Sequence, residues 1–100
     1  PATTWGTTSE QAELAGLFQT LAAFTRSRNI PAVIGEFTVT TGDGAYVRES
    51  ASRVRWISGV SETALSYGMV PVLWDTGGDI RRSDGSLSTD LSAVTSELGL

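Results

Sequence analysis

Cysteine, histidine and lysine are all absent from this chain of 100 residues. Without cysteine the chain can form neither a disulfide nor a thiolate metal site, and thiol usage says nothing about its compartment. Without histidine as well, a Ser/His/Asp triad, a Cys/His dyad and a typical zinc site are excluded within the chain. Any chemistry that these residues perform must therefore depend on carboxylates, and we expect neither a metal nor a cofactor.

Positive charge and long apolar runs are also scarce. Seven arginines stand against eleven carboxylates, which gives a net charge of −4. Nucleic-acid binding needs a clustered positive face, so no nucleic-acid partner is expected. No apolar run approaches the roughly 18 residues of a membrane span, so no membrane partner is expected either. The chain has no initiator methionine and no leader pattern, which predicts that it starts inside something longer or has been processed.

Three segments carry apolar residues at the spacing of an amphipathic helix, and each has capping signals. A capping box at Thr8 and Gln11 opens the first, and Asn29 stops it. Gly68 stops the second, and Ser88 or Thr89 opens the third. The predicted helices cover residues 8–28, 46–67 and 89–98. The first helix should bury one apolar stripe, formed by Leu14, Leu17, Phe18, Leu21 and Phe24.

Two short, continuous apolar runs lie between these helices, at residues 30–37 and 69–74. Runs of this length predict strands buried on both faces, the usual case in a parallel α/β sheet. The alternation of helix and strand favours right-handed crossovers, as in a βα-barrel. Two strands alone leave wide apolar edges unpaired. We therefore expect residues 1–100 to form a single unit that needs the remainder of a barrel or a second copy of itself.

Glu36 ends the first predicted strand, and Trp74 ends the second. Adjacent parallel strands lie about 5 Å apart, so the two side chains should reach the same mouth of the sheet. An aromatic ring offers a flat apolar surface to a sugar, and a carboxylate can attack or stabilise the anomeric carbon. Structural alternatives stay open: Glu36 pairs with Arg55 or caps a loop, and Trp74 fills a core.

These two strands also resemble a known family. Residues 30–37 (IPAVIGEF) resemble the IPVVIGEFG segment of family 5 glycoside hydrolases, and residues 72–78 (VLWDTGG) resemble their VWWDNG segment at a matching separation. The resemblance implies the C-terminal βαβα segment of a (β/α)8 TIM barrel, preceded by one helix, with strands 7 and 8 present. It also implies that Glu36 is the nucleophile and that Trp74 stacks on the sugar.

The activity that the resemblance implies is that of a secreted, retaining endo-β-1,4-glucanase, a cellulase. Its partner would be a β-glucan polysaccharide or oligosaccharide. The family's Asn-Glu pair, which supplies the acid/base, has no counterpart here, and Thr38 replaces the glycine that commonly follows GEF. A retaining glycosidase needs two carboxyl groups about 5 to 5.5 Å apart. Asp43, Asp75 and Asp79 are poor candidates for the second, because they lie in loops or point away from Trp74.

The isolated chain is therefore expected to carry a nucleophile without its acid/base and to be inactive alone. The alternative is a non-catalytic fragment that binds carbohydrate or associates with itself. Of the other tryptophans, Trp5 is a candidate for a further sugar platform or, equally, a cap over the first helix. Trp56 lies within the second helix and is expected to pack, because helices lie on the outside of a barrel.

Overall fold

Three helices and two parallel strands alternate along the chain, in a computed structural model that describes residues 2–42, 44–75 and 80–100. The elements in order are α1 (Thr8–Ser27), β1 (Val33–Phe37), α2 (Ser50–Ser66), β2 (Val70–Leu73) and α3 (Thr89–Glu97). The two strands pair directly with each other, and α2 makes the crossover between them. The predicted α/β class and the predicted order of elements are confirmed.

The capping box of α1 lies one residue earlier than predicted. The Thr7 side chain accepts a hydrogen bond from the Glu10 amide at 3.2 Å, and the Glu10 carboxylate accepts one from the Thr7 amide at 2.9 Å. The predicted box of Thr8 and Gln11 was wrong, because Gln11 instead donates to the Gly6 carbonyl at 2.6 Å. Hydrogen bonds from the Thr7 and Gly6 amides hold the pKa of Glu10 below its usual value.

Stop and start signals elsewhere match the sequence. Asn29 adopts a left-handed φ of 51° after α1, and Gly68 adopts 73° after α2, as a helix C-terminus often requires. The Ser88 side chain caps α3 by accepting a hydrogen bond from the Leu91 amide at 3.2 Å. These local signals were sufficient because each depends only on residues close in the chain.

α2 begins at Ser50 rather than at Tyr46. The residues before it are drawn into the preceding loop, where the Arg48 amide donates to the Thr41 carbonyl at 2.8 Å. Val47 also pairs with Gly42 in an isolated antiparallel bridge, which requires an extended rather than a helical backbone there. The predicted start was therefore wrong, although the apolar spacing extended that far.

The apolar stripe of α1 divides into a covered half and an open half. Its buried residues are Phe18, Ala22 and Thr25, with Leu14 packed beside them. The exposed residues are Leu17, Leu21 and Phe24. The predicted single buried stripe was too wide, because the sheet and α2 cover only one side of the helix.

Each strand is covered on one face only. Ile34 and Phe37 of β1 pack against the core, whereas Val33 is exposed, as are Val70 and Val72 of β2. The prediction of strands buried on both faces was therefore wrong for this chain. The helices lie against one face, and nothing in the described part of the chain covers the other, which we call the open face.

The strands are also shorter than the apolar runs that predicted them. The Ile30 amide donates to the Thr25 carbonyl at 3.0 Å, and the Met69 amide donates to the Ala64 carbonyl at 2.9 Å. Both amides therefore close the preceding helix instead of joining the sheet. For this reason β1 starts at residue 33 rather than 30.

α2 lies at the centre of the fold and contacts α1, β2 and α3. The core cluster is composed of Phe18, Ala22, Val60, Ala64 and Met69. Trp56 packs at the edge of this cluster, with its ring centroid 5.8 Å from that of Phe37. Trp56 is thus a packing residue, as predicted. None of the helices in the described ranges has the length and apolarity needed to cross a membrane.

Candidate active site

A bulge in β1 places Glu36 on the open face of the sheet. Ile34 pairs with Pro71, and Phe37 pairs with Leu73, so β1 has one more residue than β2 between these two pairs. With strict alternation, Glu36 would share the helix-covered face with Ile34. The extra residue shifts the alternation, so that Ile34 and Phe37 both pack inward and Glu36 is exposed.

Trp74 lies on the same face and at the same end. It follows Leu73, the partner of Phe37, and its amide donates to the Phe37 carbonyl at 2.9 Å. Its side chain is 50% exposed, whereas Leu73 before it is half-buried. Glu36 and Trp74 therefore lie on neighbouring strands at the carboxyl end of the sheet.

The Glu36 carboxylate is not committed to a structural contact. No hydrogen bond or ion pair involves it among residues 2–42, 44–75 and 80–100. Arg55, the cation considered as its structural partner, instead pairs with Glu49 at 3.2 Å and donates to the Trp5 carbonyl at 3.1 Å. The carboxylate is therefore open to a ligand that approaches from the open face, beside an aromatic ring.

The loop after β1 is held from below by an arginine that the sequence did not single out. Nε and Nη2 of Arg53 donate to the Val39 carbonyl at 3.2 and 3.1 Å, and Nη1 pairs with Asp90 in the first turn of α3. Arg53 lies on the apolar side of α2, three and seven residues before Trp56 and Val60. That spacing was the available signal, since a cation on an apolar stripe requires a buried partner.

A second arginine shapes the same loop from the side. Arg48 donates to the Thr40 carbonyl and hydroxyl at 3.1 and 2.7 Å and to the Tyr46 hydroxyl at 3.1 Å. Its guanidinium carbon lies 4.8 Å from the centroid of the Tyr46 ring. Gly42, with a φ of 143°, sits where any side chain would collide with the Tyr46 carbonyl. Contacts among residues of the loop itself therefore help to fix its shape.

Trp5 lies in the layer of helices, where it borders the same cavity as Val39 and Arg53. A Cβ on Gly59 of α2 would be 3.3 Å from the tip of the indole, and 3.8 Å from Leu14 of α1. The described contacts of Trp5 are thus with α2 and the start of the chain, and the structure does not bring it to Glu36 or Trp74. Its role as a sugar platform stays a prediction.

Of the three aspartates considered as a second carboxylate, only Asp75 lies within the described residues. Asp75 accepts a hydrogen bond from the Arg81 amide at 3.1 Å and so belongs to the loop that follows β2. Asp43 and Asp79, and the turn predicted at Gly77 and Gly78, lie outside the described residues. Within the described residues, the carboxyl end of the sheet therefore presents the Glu36 carboxylate and the exposed indole of Trp74.

Comparisons with known proteins extend this geometry. No family model matches the chain. Endoglucanase H of Acetivibrio thermocellus is 33% identical over 89 residues, which are 89% of this chain and 9% of that protein. The cellulose synthase subunit Z of Clostridioides difficile superposes with a TM-score of 0.77 and 26% identity, over 91% of this chain and 30% of that one.

A third comparison concerns the fold alone. A broad-specificity endoglucanase of subfamily GH5-4, from an uncultured bovine rumen ciliate, superposes over all of this chain and 30% of its own, with a TM-score of 0.81 and 24% identity. The chain thus spans 9% of Endoglucanase H and 30% of each of these two structures. Its three helices and parallel strand pair have the fold of a portion of a TIM barrel, and the chain is similar to part of Endoglucanase H and of these two structures.

Proposed function

We propose that this chain supplies the nucleophile, Glu36, of a retaining endo-β-1,4-glucanase. Its acid/base would come from a part of the protein outside these 100 residues. The observation that carries the proposal is the bulge, which turns Glu36 out of the helix-covered face toward the face and end that Trp74 occupies. A bulge that re-aims one side chain is a common device beside an active site.

The proposed reaction has two steps. The Glu36 carboxylate attacks the anomeric carbon and forms a glycosyl ester, while the bond to the leaving oxygen breaks and the acid/base protonates that oxygen. The same acid/base, now deprotonated, takes a proton from water, which attacks the ester and releases Glu36 unchanged. Trp74 offers its exposed ring to the apolar face of the sugar and so orients the anomeric carbon.

A nucleophile variant rescued by azide tests this assignment. In the complete barrel that contains this chain, Glu36→Gly should lower turnover of an aryl β-cellobioside by at least about 10⁴-fold, since no ester can form. Added azide should restore release of the aryl group and yield the α-glycosyl azide, because azide attacks from the face that Glu36 occupied. Product configuration is read by NMR.

Glu62→Gln is the matched control, because Glu62 is an exposed carboxylate on α2, outside the open face. It should retain full turnover. Unchanged turnover in Glu36→Gly would refute the assignment, and a β-glycosyl azide would make Glu36 the acid/base instead.

The exposed apolar residues of the open face favour a second candidate, a self-associating fragment. Val33, Val70 and Val72 are exposed there, and a bare apolar sheet face is a common site of association. Size-exclusion chromatography with light scattering on the 100-residue chain decides this point. A stable monomer would contradict association, and hydrolysis of carboxymethylcellulose by the isolated chain would contradict the missing acid/base.

Secretion is part of the same proposal. A β-glucan polymer is too large to enter a cell, so an enzyme that cleaves it within the chain must meet it outside. Fractionation of the producing organism should place the complete protein in the culture medium or on the cell surface. Recovery in the cytoplasm alone would contradict secretion without affecting the assignment of Glu36.

A further inference from the structure

We propose that Arg53 is a positioning residue for Glu36, acting through the backbone where the chain leaves β1. The inference rests on the proposed function, in which Glu36 attacks the sugar. Its physical basis is the pair of hydrogen bonds from Arg53 to the Val39 carbonyl, which we call the Arg53 fork. Arg53 touches neither the substrate face nor Glu36 itself, so any effect on the reaction passes through the loop.

The fork completes a clamp around the end of β1. On one side, the Trp74 amide holds the Phe37 carbonyl at 2.9 Å. Two residues further on, the fork holds the Val39 carbonyl. Glu36 directly precedes the clamped residues, so the direction of its backbone is fixed by a neighbouring strand and by a side chain from α2.

Asp90 makes the clamp rigid. Arg53 is 3% exposed, and its guanidinium pairs with Asp90, which also accepts a hydrogen bond from Ser50 in the first turn of α2. A buried guanidinium whose three nitrogens each donate to a fixed acceptor cannot easily rotate away. The position of Val39 is therefore tied to both helices that follow it in the fold.

The structure also contains space into which an unclamped loop could move. A cavity of about 140 Å³ borders Val39, Arg53, Trp5 and Trp56. If the loop were packed on all sides, close packing alone would hold it in place. Here the loop lies beside a void, so its position depends on directional hydrogen bonds rather than on lack of room.

Arg53→Lys in the complete enzyme tests the clamp. Lysine keeps the charge for Asp90 but cannot direct two parallel N–H groups at one carbonyl while pairing with a carboxylate. A displacement of about 1 Å at a reacting group can lower the rate about 10²-fold. We therefore expect kcat on an aryl β-cellobioside to fall about 10- to 100-fold, with KM changed by less than about threefold, because sugar contacts are intact.

Ser58→Ala is the matched control. The Ser58 hydroxyl is also buried and also ties α2 to α3, through Glu97 at 3.2 Å, but it has no contact with Val39. It should lower thermal stability without lowering kcat. An equal loss of kcat in Ser58→Ala would show that Arg53 acts only by stabilising the helices and would overturn the proposal.

Amide hydrogen exchange provides a readout that needs no activity. Arg53→Lys should speed exchange of the Arg48 amide, which closes the loop onto Thr41, by at least about tenfold relative to Ser58→Ala. If Arg53→Lys does not fold, Asp90→Asn replaces it: this change removes the negative charge that anchors the guanidinium, so kcat and exchange should change in the same directions. Unchanged kcat or unchanged exchange in the variant that folds would overturn the clamp.

The outcomes also separate this inference from the proposed function. An inactive Glu36→Gly enzyme with normal kcat in Arg53→Lys would retain the nucleophile and reject the clamp. An active Glu36→Gly enzyme would reject both.

Discussion

The two faces of the sheet differ in how much of each one is covered by other residues of this chain. On the helix-covered side, the core cluster and Trp56 enclose Ile34 and Phe37. On the open face, three valines and Trp74 are exposed, and the exposed Glu36 lies among them. The helix-covered face is packed like a protein interior. The open face has a similarly apolar composition but is exposed to solvent.

This contrast explains why the two apolar runs predicted strands that are buried on both faces. An apolar run reflects burial in the complete fold, and the chains of the solved relatives are about three times as long as this one. Apolar side chains on both faces of β1 and β2 match a barrel whose interior is filled by side chains from all of its strands. The open face is thus consistent with the inner surface of a barrel wall.

The largest expected difference is between two phenylalanines of α1. Phe18 is 7% exposed and Phe24 is 50% exposed. Phe18→Ala should destabilise the chain by about 3 to 5 kcal/mol through a lost core contact and a cavity. Phe24→Ala should cost about 1 kcal/mol or less, mainly from its contact with the Arg28 guanidinium, 3.9 Å from the ring centroid. Urea unfolding measures both, and equal losses would contradict the division of α1 into two halves.

A smaller effect is expected when a core valine and a valine of the open face are compared, first in this chain and then in the complete protein. Val60→Ala, at a site 4% exposed, should cost about 2 kcal/mol in this chain, and Val72→Ala, at 42%, about 0.5 kcal/mol or less. In the complete enzyme the cost of Val72→Ala should rise toward that of Val60→Ala, because the barrel interior then covers it. A cost for Val72→Ala that stays the same in both contexts would mean that the open face is not a barrel interior.

The smallest expected effect concerns the capping box at the N-terminus of α1. Because amides of Thr7 and Gly6 lower the folded-state pKa of Glu10, its contribution to stability is present above the ordinary glutamate pKa of about 4.3 and is lost as pH falls through the folded pKa. Glu10→Gln should therefore lose less stability than the parent chain on acidification below about pH 4.3. Parallel pH profiles in urea unfolding would show that the capping box is not maintained in solution.

Local signals predicted much of this fold. Asn29, Gly68 and Ser88 mark element ends because the bonds they make reach only a few residues along the chain. The start of α2 was mispredicted because a loop contact competed with helical spacing. The buried pair of Arg53 and Asp90 was missed because its members are 37 residues apart, and no local pattern joins them.

The candidate site shows the same limit. The motif at residues 30–37 and the ends of two runs placed Glu36 and Trp74 at one end of the sheet, where the structure also has them. The bulge was not predicted, since the extra residue is visible only in the pairing of β1 with β2. Strict alternation would have placed Glu36 on the helix-covered face, and the roles of Glu36 and Trp74 stay predictions.

The loop that follows β1 is anchored by side chains at its base and by Gly42 at its turn, while positions 44 and 45 are exposed. A longer loop inserted at this exposed turn would therefore still emerge beside the carboxyl end of the sheet, because the contacts of Val39, Gly42 and Arg53 fix where the chain leaves and rejoins the fold.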